Sequence, residues 1–244
     1  MKFKILSIAL ISFLLMNACV SVDDFKREEV EGNGTVVKKS RETADFSEID
    51  ISENIVARIK KANEHTLVVK TDANLHKYIV TEVNGNTLDI HVKDNYGLDP
   101  TEKTEVFITF EELEKIEASS GSEVHSESKF VAEELEIDVS SDAYVDLETE
   151  AREITGDCSS GSSIKLKGKA EKCRLDVSSG GDISMKDLIC KEVHADASSG
   201  GNITITARES LKADVSSGGD IDVYGDPEDI HIDESSGGDV DHEE

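Results

Sequence analysis

The stretch Arg174-Leu175-Asp176-Val177-Ser178-Ser179-Gly180-Gly181-Asp182-Ile183-Ser184-Met185 holds the fold in miniature. Leu175 and Val177 alternate with polar residues before the Ser-Ser-Gly triplet, and Ile183 and Met185 do so after it. Side chains alternate in this way along a β-strand with one buried face, so two short strands meet here at a tight corner. The Ser-Ser pair returns at 119, 140, 159, 178, 198, 216 and 235, at spacings of 21, 19, 19, 20, 18 and 19 residues. A period near 19 without a helical apolar pattern describes a solenoid with one coil per repeat.

Aligning the copies on the first serine shows the columns that stacking requires. One residue before it stand Ala118, Val139, Cys158, Val177, Ala197 and Val215, with Glu234 as the exception. Three before it stand Ile116, Ile137, Leu175, Ala195, Ala213 and Ile232, with Gly156 as the exception. Five after it stand Val124, Val145, Ile164, Ile183, Ile203, Ile221 and Val240. The column two before the serine is acidic throughout: Glu117, Asp138, Asp157, Asp176, Asp196, Asp214 and Asp233. Stacked at about 4.8 Å, these carboxylates form a solvent-facing ladder that repels itself unless cations or lysines relieve it. Gly121, Gly161, Gly180, Gly200, Gly218 and Gly237 follow the pairs, and only Ser140-Ser141 is followed by Asp142. These glycines read as structural corners, because positive φ costs glycine nothing, and the serines as backbone-bonding corner residues rather than nucleophiles.

Residues 32–117 carry alternating runs such as Ile49-Asp50-Ile51, Thr87-Leu88-Asp89-Ile90 and Val106-Phe107-Ile108, which read as strands. Asn84-Gly85-Asn86 reads as a hairpin turn and Ala73–Tyr78 as one helical turn. The expected fold is therefore all-β: a right-handed parallel β-helix of about 19 residues per coil over 118–244, preceded by a less regular β part over 32–117. Between the strands of each coil, Lys167–Lys172 and Tyr224–Asp229 read as loops of variable length.

At the N-terminus, Lys2 and Lys4 precede an acid-free apolar run from Ile5 to Met16, too short for the roughly 20 residues of a membrane span. Residues 1–18 read as a signal peptide. Leu15-Met16-Asn17-Ala18-Cys19 resembles a bacterial lipobox, in which the cysteine is acylated and becomes the mature N-terminus; residues 19–31 then form the lipidated Cys19 and a flexible linker. Losing residues 1–18 removes two lysines and no acids, which moves the net charge from −27 to −29. Such a chain lacks the basic footprint that nucleic acid requires, and its field attracts cations and basic surfaces. Cys158, Cys173 and Cys190 have no Cys-x-x-Cys spacing and read as small core side chains.

Gly32-Asn33-Gly34, Phe46-Ser47-Glu48-Ile49-Asp50-Ile51-Ser52, Val106-Phe107-Ile108 with Leu113 and Ile116, and the Ser-Ser-Gly-Gly-Asp-Ile corners at 178–183 and 216–221 resemble the auto-transporter adhesin, or head GIN domain, family of bacterial lipoproteins. The resemblance covers residues 32–244 and implies a β-helical fold and an exported lipoprotein of the cell envelope. It carries no catalytic residues to transfer. Asp23-Asp24 after Cys19 resembles the signal that sends some lipoproteins to the cell surface.

The chain has no Gly-x-Ser-x-Gly elbow, His-Glu-x-x-His helix or phosphate-binding loop, and its seven histidines lack ligand spacing along the sequence. An even acidic ladder offers no unique carboxyl pair for glycoside cleavage. Loose calcium binding by Asp138, Asp157, Asp176, Asp196, Asp214 and Asp233 is the one metal reading, without the nine-residue period of calcium-binding repeats. The leading expectation is a non-enzymatic, lipid-anchored envelope or surface protein presenting a rigid acidic face to a protein or glycan. The alternatives are a purely structural envelope lipoprotein and a carbohydrate-active β-helix enzyme.

Overall fold

The computed structural model of the protein describes residues 27–243. The signal peptide, the lipidation residue Cys19 and the first part of the linker lie outside the described residues.

The chain forms β1 (Glu28–Glu31), β2 (Val36–Arg41), β3 (Glu48–Ile51), β4 (Val56–Lys61), β5 (Thr66–Asp72), β6 (Ile79–Asn84), β7 (Thr87–Val92), β8 (Tyr96–Asp99), β9 (Glu105–Phe110), β10 (Lys115–Ala118) and β11 (Glu123–Ser126). There follow β12 (Phe130–Val139), β13 (Tyr144–Cys158), β14 (Ser163–Val177), β15 (Asp182–Ala197), β16 (Asn202–Val215), β17 (Asp220–Gly225), β18 (Asp229–Glu234) and β19 (Asp239–Glu243). From β10 onward every pairing is parallel and advances by one coil. The molecule is an all-β solenoid with an irregular N-terminal part.

The expected columns are the observed registers. Ile116 pairs with Ile137, Leu175 with Ala195, and Ala195 with Ala213, and all are buried. Gly156 interrupts its apolar column because Leu175 reaches across from the next coil, 3.3 Å from where a Gly156 Cβ would lie. Cys158, Cys173 and Cys190 are free thiols inside this core. Burial pushes the Cys158 thiol up, and the adjacent Cys190 together with burial pushes up that of Cys173.

Lys167–Lys172 is not a loop. β13 to β16 each run 14 to 16 residues straight through the outer bend. Parallel pairing persists around that bend, and register shifts such as that between Met185 and Ile189 absorb the differences in coil length. Gly168 permits the close approach there: a Cβ on it would lie 1.9 Å from the Thr149 carbonyl oxygen.

The stacking also begins before residue 118. β3 pairs in parallel with both β7 and β10, and β4 with both β9 and β11. The coil made by β3 and β4 thus lies between one made by β7 and β9 and one made by β10 and β11. Antiparallel strands close this end: β6 covers β7, while β5 covers β9 and is covered by β2. The Asn84–Thr87 hairpin forms as expected, and Ala73–Tyr78 forms successive turns rather than α-helix. Glu28–Glu31, expected in the linker, is a strand because Val30 pairs opposite Leu98 on β8. Asp72 clamps the Gly32-Asn33-Gly34 opening, accepting hydrogen bonds from the Gly34 and Thr101 amides at 2.7 and 2.9 Å. Phe46, Phe110 and Phe130 stack with ring centroids 5.2 Å apart and fill the wider core at this end.

At each Ser-Ser-Gly corner the second and third residues both have positive φ, as at Ser179 (52°) and Gly180 (72°). The fourth residue donates to the carbonyl of the first, Gly181 to Ser178 at 3.0 Å. Two left-handed central residues inside a four-residue hydrogen-bonded turn are the mark of type I′ geometry. The same twist aims the second residue's carbonyl along the solenoid axis. The amides of Asn54, Gly121, Asp142, Gly161 and Gly180 accordingly donate to Ser120, Ser141, Ser160, Ser179 and Ser199 of the next coil.

Candidate functional site

Parallel register turns the acidic column into one continuous line on the sheet face that precedes the corners. In order along the solenoid it runs Asp89, Asp50, Glu117, Asp138, Asp157, Asp176, Asp196, Asp214 and Asp233, each paired with the next. All six aspartates considered for calcium lie in it. Asp50 and Asp89 are rungs missed in the sequence reading; Ile49-Asp50-Ile51 and Leu88-Asp89-Ile90 share the local pattern of Ile116-Glu117-Ala118, but no Ser-Ser pair follows them.

The six corner glycines adopt φ between 70° and 77°. Gly121 and Gly161 have a second task, since a Cβ on them would meet the Asn54 and Asp142 side chains at 2.6 and 2.8 Å. The first serines of the corners line a groove beside the ladder. One stretch of about 420 Å³ runs along Asp50, Glu117, Asp138, Asp157 and Asp176. A second, of about 450 Å³, continues from Asp176 past Asp196 and Asp214 to Asp233.

Cations relieve the ladder unevenly. Lys115 bridges Glu136, Glu117 and Asp138 at 2.6, 2.9 and 3.2 Å, and these bonds hold its ammonium well above the usual lysine range. Arg174 turns instead to Glu153, at 3.0 Å, and among the described residues no cation pairs with Asp157 or Asp176. Burial, followed by the charges of Asp138 and Asp176, pushes the Asp157 carboxyl up. Burial, Glu117 and Asp89 do the same to Asp50, and burial raises Asp138 despite Lys115. Toward the other end His194, Lys212 and His231 form a stripe beside the ladder, each in register with the next. The hydrogen bond from Lys212 holds Asp214 below the usual carboxylate range, while burial raises Asp196.

Such a face can hold cations or a basic polymer along its length, because its charges recur at nearly constant spacing on a rigid sheet. A wider cleft of about 900 Å³ on the outer bend is also acidic, walled by Glu111, Glu112, Glu114, Glu133, Glu134 and Glu136 among others.

No protein of curated function matches the sequence. Several solved structures share the fold. A chain described as a "putative adhesin" from Bacteroides fragilis superposes with a TM-score of 0.82 at 20% identity, covering 88% of this chain and 100% of that one. A "putative adhesin" from Parabacteroides distasonis gives 0.73 at 24% identity, with 88% and 100% covered. A chain from the same organism, described as a "putative lipid binding protein", gives 0.75 at 22% identity, with 89% and 100% covered. Over residues 45–227, which hold all but the last rung of the ladder, the sequence matches the model of one family, and the chain belongs to it: "Putative auto-transporter adhesin, head GIN domain".

Proposed function

We propose that this protein is a non-enzymatic, lipid-anchored component of the bacterial envelope whose acidic solenoid face is a binding surface for a basic or cation-bridged partner, protein or glycan. The observation that carries the reading is the nine-rung carboxylate ladder, held in one register beside a groove that follows it from Asp50 to Asp233. A regularly charged surface on a rigid stack binds extended partners without having to order itself first. The adhesin description of the family agrees with a binding role. The export signal and lipobox-like Leu15–Cys19 supply the anchor in the outer membrane, facing either the periplasm or the cell surface.

The test is capture on arrays of glycans and basic proteins by the full chain and by an Asp157→Asn, Asp176→Asn, Asp196→Asn variant. A partner retained by the parent and lost by this variant, but kept when Glu133, Glu134 and Glu171 on the outer bend are neutralised instead, is the expected result. Equal loss in both variants would point to net charge alone and remove the reading. Labelling with a radioactive fatty acid, abolished by Cys19→Ser, tests the anchor, and protease shaving of intact cells tells the two orientations apart.

A further inference from the structure

Near one end of the ladder the side chains of His194, Asp196 and Asp214 converge. Among the described residues they are the one group of three potential metal ligands whose donor atoms all lie within 4.8 Å of one another. His194 and Asp196 are two apart on β15 and so share a face, and Asp214 on β16 pairs directly opposite Asp196. His194 Nε2 stands 3.3 Å from Asp196 Oδ2 and 3.5 Å from Asp214 Oδ2. The Lys212 ammonium approaches the same nitrogen at 3.1 Å and bonds the same Asp214 oxygen. One imidazole nitrogen, two carboxylates and the Lys212 ammonium thus meet at one place on the sheet face.

We propose that His194, Asp196 and Asp214 form a site for a divalent late transition-metal ion, of which zinc is the probe, and that Lys212 is the internal cation it displaces. Tetrahedral zinc with bonds of 2.0–2.1 Å sets its donor atoms about 3.4 Å apart. The two separations at His194 already match that edge. A water molecule completes the set, as the half-exposed rim allows. Lys212 is 48% exposed on a flexible four-carbon stem and can swing into solvent at little cost. The nitrogen donor and the small number of oxygens set this site apart from a calcium site, which takes six to eight oxygens. Asp157, flanked by carboxylates alone, has no such donor set. The site stands apart from the surface-binding reading, since a chain that captures no macromolecule still offers these three ligands.

The experiment is calorimetric zinc titration of the full chain without an affinity tag, in moderate salt. The expected result is one saturable site, weakened about tenfold or more by His194→Ala, because one of three protein ligands is lost. Lys212→Met should tighten binding several-fold, while Asp157→Asn and His231→Ala leave it within about twofold. Cobalt binding should give a visible absorption of tetrahedral intensity that is absent from His194→Ala. Zinc uptake equal in His194→Ala and parent, or weakened by Lys212→Met, would overturn the site and leave only diffuse attraction to the ladder. Unchanged circular dichroism in each variant separates lost ligation from lost folding.

Discussion

Ser120, Ser141, Ser160, Ser179, Ser199, Ser217 and Ser236 all sit at positive φ, where an L side chain costs roughly 1–2 kcal/mol. Nothing in serine itself favours that conformation; the type I′ corner demands it of both central residues. Only the glycine half of the corner was legible in the sequence, because glycine's need for this region is intrinsic and serine's is imposed. Ser179→Gly should therefore stabilise the fold by up to about 1 kcal/mol in urea denaturation, relief of strain outweighing the roughly 0.4–1 kcal/mol of added chain entropy. Gly168→Ala should do the opposite. Its φ of 128° and the Thr149 carbonyl 1.9 Å from the new Cβ leave no room, and the loss should be roughly 3 kcal/mol by the same measurement.

On the scale of strands and columns, the acidic ladder is a standing destabilisation, because like charges recur at every coil. Asp157→Asn removes a rung that no cation pairs with among the described residues, so it should raise the denaturation midpoint by about 1 kcal/mol equivalent, with the gain shrinking in molar salt. The raised carboxyls of Asp50, Asp138, Asp157, Asp196 and Asp220 bind protons more tightly in the folded chain than in the unfolded one. Stability should accordingly rise as pH falls from neutrality toward and through their raised folded values. Asp214 and Glu105 have lowered carboxyls, held by Lys212 and by Arg58 with Lys70, and their contribution disappears as pH falls further through the folded values. Denaturation midpoints across pH should thus peak in mild acid; a peak at or above neutrality would contradict the ladder's energetics. Seven rungs were legible from the repeat alone. Asp50 and Asp89 were not, because no Ser-Ser pair follows either of them and their order in the ladder reverses the chain order of β3 and β7, and the grouping of His194 with Asp196 and Asp214 was missed because ligand spacing was sought along the sequence. In a solenoid, neighbours in space are one period apart.

For the whole molecule the two ends differ. Antiparallel β2, β5 and β6 close one, whereas Ile230 and Ile232 of β18 remain 46% and 39% exposed, with no strand among the described residues over them. A stack of this kind opens from its less covered end. Cys190 should therefore react with an alkylating reagent in mild denaturant before Cys158, resolved by peptide mass spectrometry; the reverse order would place the weak end at the antiparallel strands. The all-β class, the coil length and the inward columns were legible because each repeat states them again. The order of the first coils was not, since pairings between β3 and both β7 and β10 depend on segments far apart in the chain.

That order makes the β3–β4 hairpin-free turn of chain a keystone. It comes early in the chain, yet both of its flanks are filled by strands that come later, so in the finished stack it joins the antiparallel end to the repeats. A chain cut back from the far end would keep a complete foundation, whereas excising residues 48–61 would leave two half-structures with nothing to join them.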